Sequence, residues 1–168
     1  ENVKVEIAPE AMKKVQAARD LIFELDKRGV AVYGLNTGVG WNKDKVVYAD
    51  RYDAYNKNLL RSHMIGVGPE CTIPEVRATM AIRLNGFLCG NTGVAKEIAE
   101  YYLEFLNRGI TPVMKSRGSV GEADIATLTA IGLTAIGEGE AWYGTERMDS
   151  MAALEKAGLK PLKMGPKD

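Results

Sequence analysis

Residues 74–109 read PEVRATMAIRLNGFLCGNTGVAKEIAEYYLEFLNRG, and the spacing of their apolar residues predicts two consecutive helices. The first follows Pro74 and has an apolar side chain at every fourth position: Val76, Met80, Leu84 and Leu88. The second ends at Gly109 and repeats at three and four: Val94, Ile98, Tyr102 and Phe105. Because an α-helix turns once in about 3.6 residues, each set lines one face that can pack against a core. This stretch therefore predicts a helical fold class.

The same signals on both sides of this pair predict four further helices: Pro9 to Gly29, Asp50 to His63, Ile125 to Ile136 and Met151 to Lys156. A short apolar piece at residues 30–32 is strand-like, and residues 111–121 are predicted as a loop. No repeat or linker interrupts the chain. We therefore predict one mainly helical domain over residues 1–168.

Composition excludes several classes of function. The 168 residues contain 22 Lys and Arg against 22 Asp and Glu, so no net charge favours nucleic acid or an anionic membrane as a partner. No apolar run is long enough to span a bilayer. A single histidine and two cysteines without ligand spacing predict no metal site, and this cysteine usage is typical of a reduced, cytoplasmic protein.

A glycine-rich loop, Gly34-Leu35-Asn36-Thr37-Gly38-Val39-Gly40, follows Tyr33. Its spacing does not fit a dinucleotide-binding fingerprint. Three glycines in seven residues allow close backbone approach, so Tyr33 lies on a loop rather than in a packed helix. A lone tyrosine is more often a half-buried packing residue, and the loop alone does not distinguish that role from a catalytic one.

Four sequence blocks together resemble the histidine and phenylalanine ammonia-lyases, the aromatic amino acid ammonia-lyase superfamily. Residues 33–40, YGLNTGVG, are similar to that family's YGxNTGFG loop. Residues 58–68, NLLRSHMIGVG, are similar to NLLxSHxxGxG, and residues 83–94 are similar to RxNxxxxGxSGV. Gly118-Ser119-Val120-Gly121 resembles the start of the segment that forms the family's prosthetic group.

This resemblance implies the N-terminal helical domain of the ammonia-lyase (fumarase/aspartase-like) fold, as part of a longer subunit that assembles into a homotetramer. It implies that Tyr33 is the catalytic base that takes the β-proton of the substrate. It also implies that His63 binds the substrate ring, because the family reads the ring at this position, and Ser62-His63 favours an imidazole-like side chain. An ordinary phenol has a pKa near ~10, so the base would need a nearby cation or N–H donor, which the sequence does not identify.

One segment departs from the family pattern. Where the family reads GSVGASGDL, its Ala-Ser-Gly triad cyclises and dehydrates to the electrophile methylidene-imidazolone (MIO). In this chain Gly121 and Asp124 match the flanking positions, but only Glu122 and Ala123 lie between them. The serine that loses its hydroxyl and the glycine that closes the ring are missing. Either the triad has been lost, or Ala123 stands for one modified group and Glu122 is an extra residue.

The departure bears on the substrate. MIO makes the amine a better leaving group, whereas a trimethylammonium group departs as a neutral amine without such help. Among relatives, the ergothionase-type lyases fit this description, so the resemblance implies a carbon–nitrogen lyase that uses no cofactor and acts on a small amino acid or betaine. Glu122 would attract the cationic ammonium, or alternatively it caps the helix that begins near Ile125. A conventional MIO-dependent histidine ammonia-lyase and a non-catalytic scaffold homologue are the alternatives.

Overall fold

The chain folds into α-helices joined by short strands, and the computed structural model describes residues 3–119 and 125–168. The described residues form six α-helices: α1 Pro9–Lys27, α2 Tyr52–His63, α3 Ile73–Leu88, α4 Lys96–Arg108, α5 Ile125–Ala135 and α6 Ser150–Lys156. They also form five strands: β1 Val67–Glu70, β2 Ile110–Pro112, β3 Lys115–Arg117, β4 Glu140–Tyr143 and β5 Glu146–Asp149. Short 3-10 turns cover Gly40–Asn42 and Ala49–Arg51. The predicted mainly helical class is confirmed, and each predicted helix is present.

Local contacts and backbone conformation set where α3 begins and where α4 ends. The backbone N–H of Thr72 donates to the Glu75 carboxylate at 2.7 Å, which closes the first turn of α3. The same hydrogen bond lowers the pKa of the Glu75 carboxyl from its ordinary value. Gly109 ends α4 in the left-handed conformation, with φ of 72°, which a side chain with a Cβ rarely adopts.

The apolar faces of α3 and α4 meet α5 and α6 in the main core. Its fully buried members include Met80 from α3, Phe105 from α4, Ile131 from α5 and Leu154 from α6. The α5 segment is rich in alanine and threonine, and Ala130 and Ala135 are both buried. Small side chains there allow neighbouring helices to approach closely, which explains why this segment is buried on several sides.

The strands correct the prediction that residues 111–121 form a loop. β2 pairs with β4, and β4 pairs with β5, in an antiparallel sheet, while β1 pairs with β3. These strands have three or four residues each, too few to show an alternating pattern, and β2 pairs with β4 far along the chain. Conversely, the strand-like piece at residues 30–32 forms no strand, because the N–H of Val32 donates to the Asn36 side chain instead.

A buried ion pair joins the last residues of the chain to α1. Arg19 is 8% exposed, and its guanidinium lies 3.2 Å from the Asp168 carboxylate. Arg19 also donates to the carbonyl oxygens of Gly93, at 3.0 Å, and Pro166, at 2.5 Å. Asp168 accepts the N–H of Ala95 at 2.9 Å, so both charges have several partners. Residues 165–168, which we call the C-terminal brace, are thereby tied to α1 and to the start of α4.

We expect Arg19→Met to destabilise the fold by about 3–5 kcal/mol, because it leaves the Asp168 carboxylate buried without its cation. Urea denaturation followed by circular dichroism measures the change in the free energy of unfolding. Lys13→Met is the matched control, since Lys13 lies on the same helix and pairs with Glu10 at the surface. Equal stability of the two variants would contradict a structural role for the buried pair.

Candidate active site

The first half of the glycine-rich loop is fixed to the end of α1. Asn36 makes this connection: its side-chain N–H donates to the Asp26 carboxylate at 2.7 Å and to the Val30 carbonyl at 3.0 Å. Its side-chain oxygen accepts the N–H of Val32 at 2.8 Å. The adjacent Leu35 is 1% exposed and anchors the loop in the protein interior. A polar side chain thus replaces the backbone pairing that a strand would have supplied.

The second half of the loop is fixed to α2. The N–H of Val39 donates to the hydroxyl of Tyr55 at 3.1 Å, and the N–H of Gly38 donates to the Lys45 carbonyl at 2.8 Å. Gly38 has to be glycine, because a Cβ there would lie 2.4 Å from the carbonyl oxygen of Asn42. The loop therefore turns back tightly on itself before it leaves for α2.

Tyr33 stands at the open side of this loop. Its side chain is 56% exposed, which argues against the packing role that a lone tyrosine often has. Its hydroxyl oxygen accepts the backbone N–H of Gly40 at 2.8 Å, and its carbonyl oxygen accepts the Lys167 ammonium at 2.8 Å. The N–H donor to the phenol oxygen is thus the last glycine of the motif itself.

His63 ends α2 with one ring nitrogen engaged. Its Nδ1 lies 2.8 Å from the Leu59 carbonyl oxygen, which can only accept, so Nδ1 carries the proton. In the neutral ring Nε2 is then an acceptor. A histidine that only satisfies the backbone at a helix end would make this same Nδ1 contact. The contact therefore fits that structural role, and Nε2 is the atom that ring recognition would use. Thr129 of α5 donates to the His63 carbonyl at 3.4 Å and so links α5 to the end of α2.

Tyr33 and His63 are connected through one helix. The Tyr33 loop is attached to α2 at Tyr55, and His63 lies eight residues further along the same helix. At about 1.5 Å of rise per residue, the two attachment points are about 12 Å apart along the helix axis. The helix therefore sets the distance between the attachment point of the loop and His63.

An ion pair also fixes the end of α2. Arg61 makes a two-pronged contact with Glu138, at 2.5 and 3.0 Å, next to His63. The hydrogen bond from Arg61 lowers the pKa of the Glu138 carboxyl, as does its positive charge. This contact agrees with a structural role for Glu138, because it ties α2 to the turn after α5 and uses both carboxylate oxygens.

The residues that correspond to the prosthetic group, Gly121, Glu122, Ala123 and Asp124, lie outside the described residues. The described residues on either side of them converge on one place. A Cβ on Gly118 would lie 2.9 Å from the Ala126 side chain and 3.3 Å from the Cα of Gly66. Gly66 follows His63 by three residues. The described residues Gly118 and Ala126 therefore lie close to Gly66, just beyond the end of α2.

The described residues also contain an apolar cavity of about 380 Å³ between α2, α3, α4, α5 and the C-terminal brace. Burial raises the pKa of Tyr102, which lines it, to about 12. Neither Tyr33 nor His63 lines this cavity, although Lys167, which contacts the Tyr33 carbonyl, and Leu59, which contacts the His63 ring, both do. Within the part of the chain that the structure describes, no group of three His, Cys, Asp or Glu side chains could hold a metal ion. No helix there is long and apolar enough to cross a membrane.

Comparison with known proteins identifies the family. The aromatic amino acid lyase model matches residues 1–168. Histidine ammonia-lyase from Stigmatella aurantiaca is 40% identical over 99% of this chain and 33% of its own length. Histidine ammonia-lyase from Treponema denticola is 36% identical over 98% of this chain and 33% of its own length.

A solved structure extends this likeness to three dimensions. Ergothionase from Treponema denticola, an ergothioneine-degrading enzyme solved in complex with desmethyl-ergothioneine sulfonic acid, is 48% identical to this chain. It superposes with a TM-score of 0.96 over 99% of this chain and 34% of that one. The chain spans about a third of the length of the curated relatives it matches. It belongs to the aromatic amino acid lyase family and has the fold of the ammonia-lyases.

Proposed function

We propose that the full-length protein is a carbon–nitrogen lyase that eliminates the α-amine of a histidine-like substrate to give an acrylate. The observation that carries this proposal is the exposed Tyr33 hydroxyl, which meets the N–H of Gly40 at 2.8 Å. In the proposed step the Tyr33 oxygen takes the β-proton. The electron pair of that C–H bond forms the carbon–carbon double bond, and the nitrogen leaves with the pair of the C–N bond.

We further propose that the reaction proceeds without MIO and releases trimethylamine from a betaine such as ergothioneine. Glu122 and Ala123 between Gly121 and Asp124 do not supply the Ala-Ser-Gly triad, so no step is assigned to that group. The comparison within one organism supports the same substrate class. The chain is 48% identical to the ergothionase of Treponema denticola and 36% identical to its histidine ammonia-lyase.

In this proposal Glu122 holds the cationic ammonium of the substrate. A carboxylate at a partly desolvated site attracts a permanent cation by about a few kcal/mol. The described residues on either side of this segment lie next to Gly66, close in sequence to His63, which supports a place near the bound ring. The alternative is that Glu122 acts as an acidic residue at the N-terminus of α5.

A conventional MIO-dependent histidine ammonia-lyase is the second candidate, supported by the 40% identical relative from Stigmatella aurantiaca. A non-catalytic homologue is disfavoured, because a scaffold has no need of a loop that turns a backbone N–H onto the Tyr33 hydroxyl. By analogy with the family we also propose that residues 1–168 form one domain of a cytoplasmic homotetramer that binds neither nucleic acid nor membrane.

We expect Tyr33→Phe to lower the turnover number of the full-length enzyme at least about 10²-fold, because it removes only the proton-accepting oxygen. The free energy of unfolding should change by no more than about 1 kcal/mol, since one hydrogen bond is lost at an exposed site. Steady-state kinetics and urea denaturation check these two values. Tyr48→Phe is the control, because Tyr48 is also exposed. Normal turnover by the Tyr33 variant would show that Tyr33 is not the base.

We expect His63→Leu to weaken binding of imidazole or imidazole-thione substrates by about 1–3 kcal/mol, because leucine offers no partner to a polar ring. A phenyl substrate should bind the variant as well as the wild type or better. Titration calorimetry with substrate analogues of both ring types measures the difference. Equal losses for the two rings would show that His63 does not read the ring.

We expect full-length protein supplied with ergothioneine to release trimethylamine and a thiourocanate-type acrylate, and to release little ammonia from histidine. Mass spectrometry of the products distinguishes the two reactions. The intact mass of the same preparation should equal that of the encoded chain, without the loss of two waters that MIO formation requires. Rapid ammonia release from histidine together with that mass deficit would favour the conventional ammonia-lyase instead.

A further inference from the structure

Lys167 occupies an unusual backbone conformation in the C-terminal brace. Its φ is 65°, and it is the one residue other than glycine with a positive φ in the described ranges 3–119 and 125–168. Such a conformation is unfavourable in a residue with a Cβ and persists where the surroundings determine it. The positive φ therefore indicates that contacts around Lys167 hold its backbone in place.

The residues around Lys167 are fixed independently of its side chain. Asn56 of α2 donates to the Gly165 carbonyl at 2.5 Å, and Arg19 of α1 donates to the Pro166 carbonyl at 2.5 Å. The Asp168 carboxylate accepts the N–H of Gly165 at 2.7 Å, besides its contacts with Arg19 and Ala95. The backbone of the brace thus has anchors on α1, on α2 and at the start of α4. The Lys167 side chain is not needed to attach it.

That side chain extends instead to the loop that carries the candidate base. Its ammonium donates to the Tyr33 carbonyl oxygen at 2.8 Å, across 134 positions of sequence. Lys167 is partly buried, and burial lowers the pKa of its ammonium. The contact costs this long side chain rotamer freedom, and it links two segments that are far apart in the sequence.

Few other contacts hold the loop at Tyr33 and Gly34. The next residue, Gly34, has a φ of 72°, and its N–H reaches the Thr37 hydroxyl only at 3.4 Å. The side chain of Tyr33 is exposed and receives little packing support. The Lys167 contact therefore fixes the Tyr33–Gly34 peptide plane, and with it the direction in which the phenol leaves the backbone.

We propose that Lys167 is a positioning residue for Tyr33: its ammonium ties the Tyr33 carbonyl to the C-terminal brace and so holds the phenol where the β-proton is removed. This inference rests on the proposed function for its catalytic consequence, whereas the tie itself can be tested without any substrate. It adds to the site a residue that touches neither substrate nor reacting atoms.

The test compares Lys167→Met with Lys163→Met in the full-length protein. Lys163 lies in the same C-terminal stretch and is exposed, so the control removes a lysine of equal length without removing the tie. Peptide-resolved hydrogen exchange should show faster exchange over residues 33–47 in Lys167→Met, by about tenfold, and no change in Lys163→Met. The turnover number should fall by about 10-fold to 10²-fold in Lys167→Met, with KM changed much less, because a displaced base affects the chemical step.

Two further variants separate positioning from folding. Lys167→Arg keeps a donor of similar reach and should recover most of the lost turnover. Lys167→Gly suits the positive φ, so it should fold as well as the wild type and still show the loop exchange and turnover loss of Lys167→Met. Unchanged exchange over residues 33–47 in Lys167→Met and Lys167→Gly would overturn the proposal, as would faster exchange with normal turnover. If the wild type releases neither trimethylamine nor ammonia, the proposed function fails, and the exchange data still decide whether Lys167 holds the loop.

Discussion

The buried pair of Arg19 and Asp168 is the interaction on which the arrangement of the site depends. A guanidinium and a carboxylate taken out of water are tolerated only when other hydrogen bonds satisfy them, and here that condition is met for both groups. Arg19 reaches two carbonyl oxygens besides its ion partner and lies over the Phe23 ring, while Asp168 accepts two backbone N–H groups. These bonds hold residues 165–168 against α1. From there the Lys167 ammonium reaches the Tyr33 carbonyl oxygen.

The loop itself shows how a short segment can direct a main-chain donor at a tyrosine hydroxyl. Backbone N–H groups of the loop donate to oxygen atoms of the same loop and of α2, and the side chains of Asn36 and Lys167 tie the segment to its neighbours. Such donors are fixed by the fold and need no reorganisation during a reaction. The glycines of the loop leave it with little packing of its own. Stability therefore has to come from its neighbours, which are α1 through Asn36, α2 through Tyr55 and the brace through Lys167.

The sequence predicted the helices well and the strands poorly, for a physical reason. Helix signals are local, since periodicity and terminal glycine and proline lie within the element itself, whereas β2 is specified by its pairing with β4 some thirty residues away. The same distinction holds at the site. Tyr33 and His63 could be proposed as site residues from sequence because each lies in a contiguous motif. The contact of Gly40 with the Tyr33 hydroxyl depends on the φ of glycines, and that of Lys167 depends on packing between segments 134 positions apart, so neither could be predicted from residue spacing.

Elimination needs both removal of the β-proton and departure of the amine, and the candidate residues Tyr33 and His63 differ from the missing triad in the step they would assist. In the proposed reaction Tyr33, whose hydroxyl accepts a main-chain N–H, serves proton removal, and His63, whose Nδ1 contacts the Leu59 carbonyl, serves ring recognition. In that proposal neither residue assists departure of the amine, which in the wider family falls to an electrophile formed from an Ala-Ser-Gly triad, and residues 121–124 do not contain that triad. The β-proton is removed in the same way from an amine and from its trimethylated form, so loss of the electrophile weighs almost entirely on the leaving group. A permanently cationic nitrogen, which leaves as a neutral amine, carries that burden within the substrate. Under the proposed function, a betaine would therefore supply through its own leaving group what the Ala-Ser-Gly triad supplies elsewhere in the family.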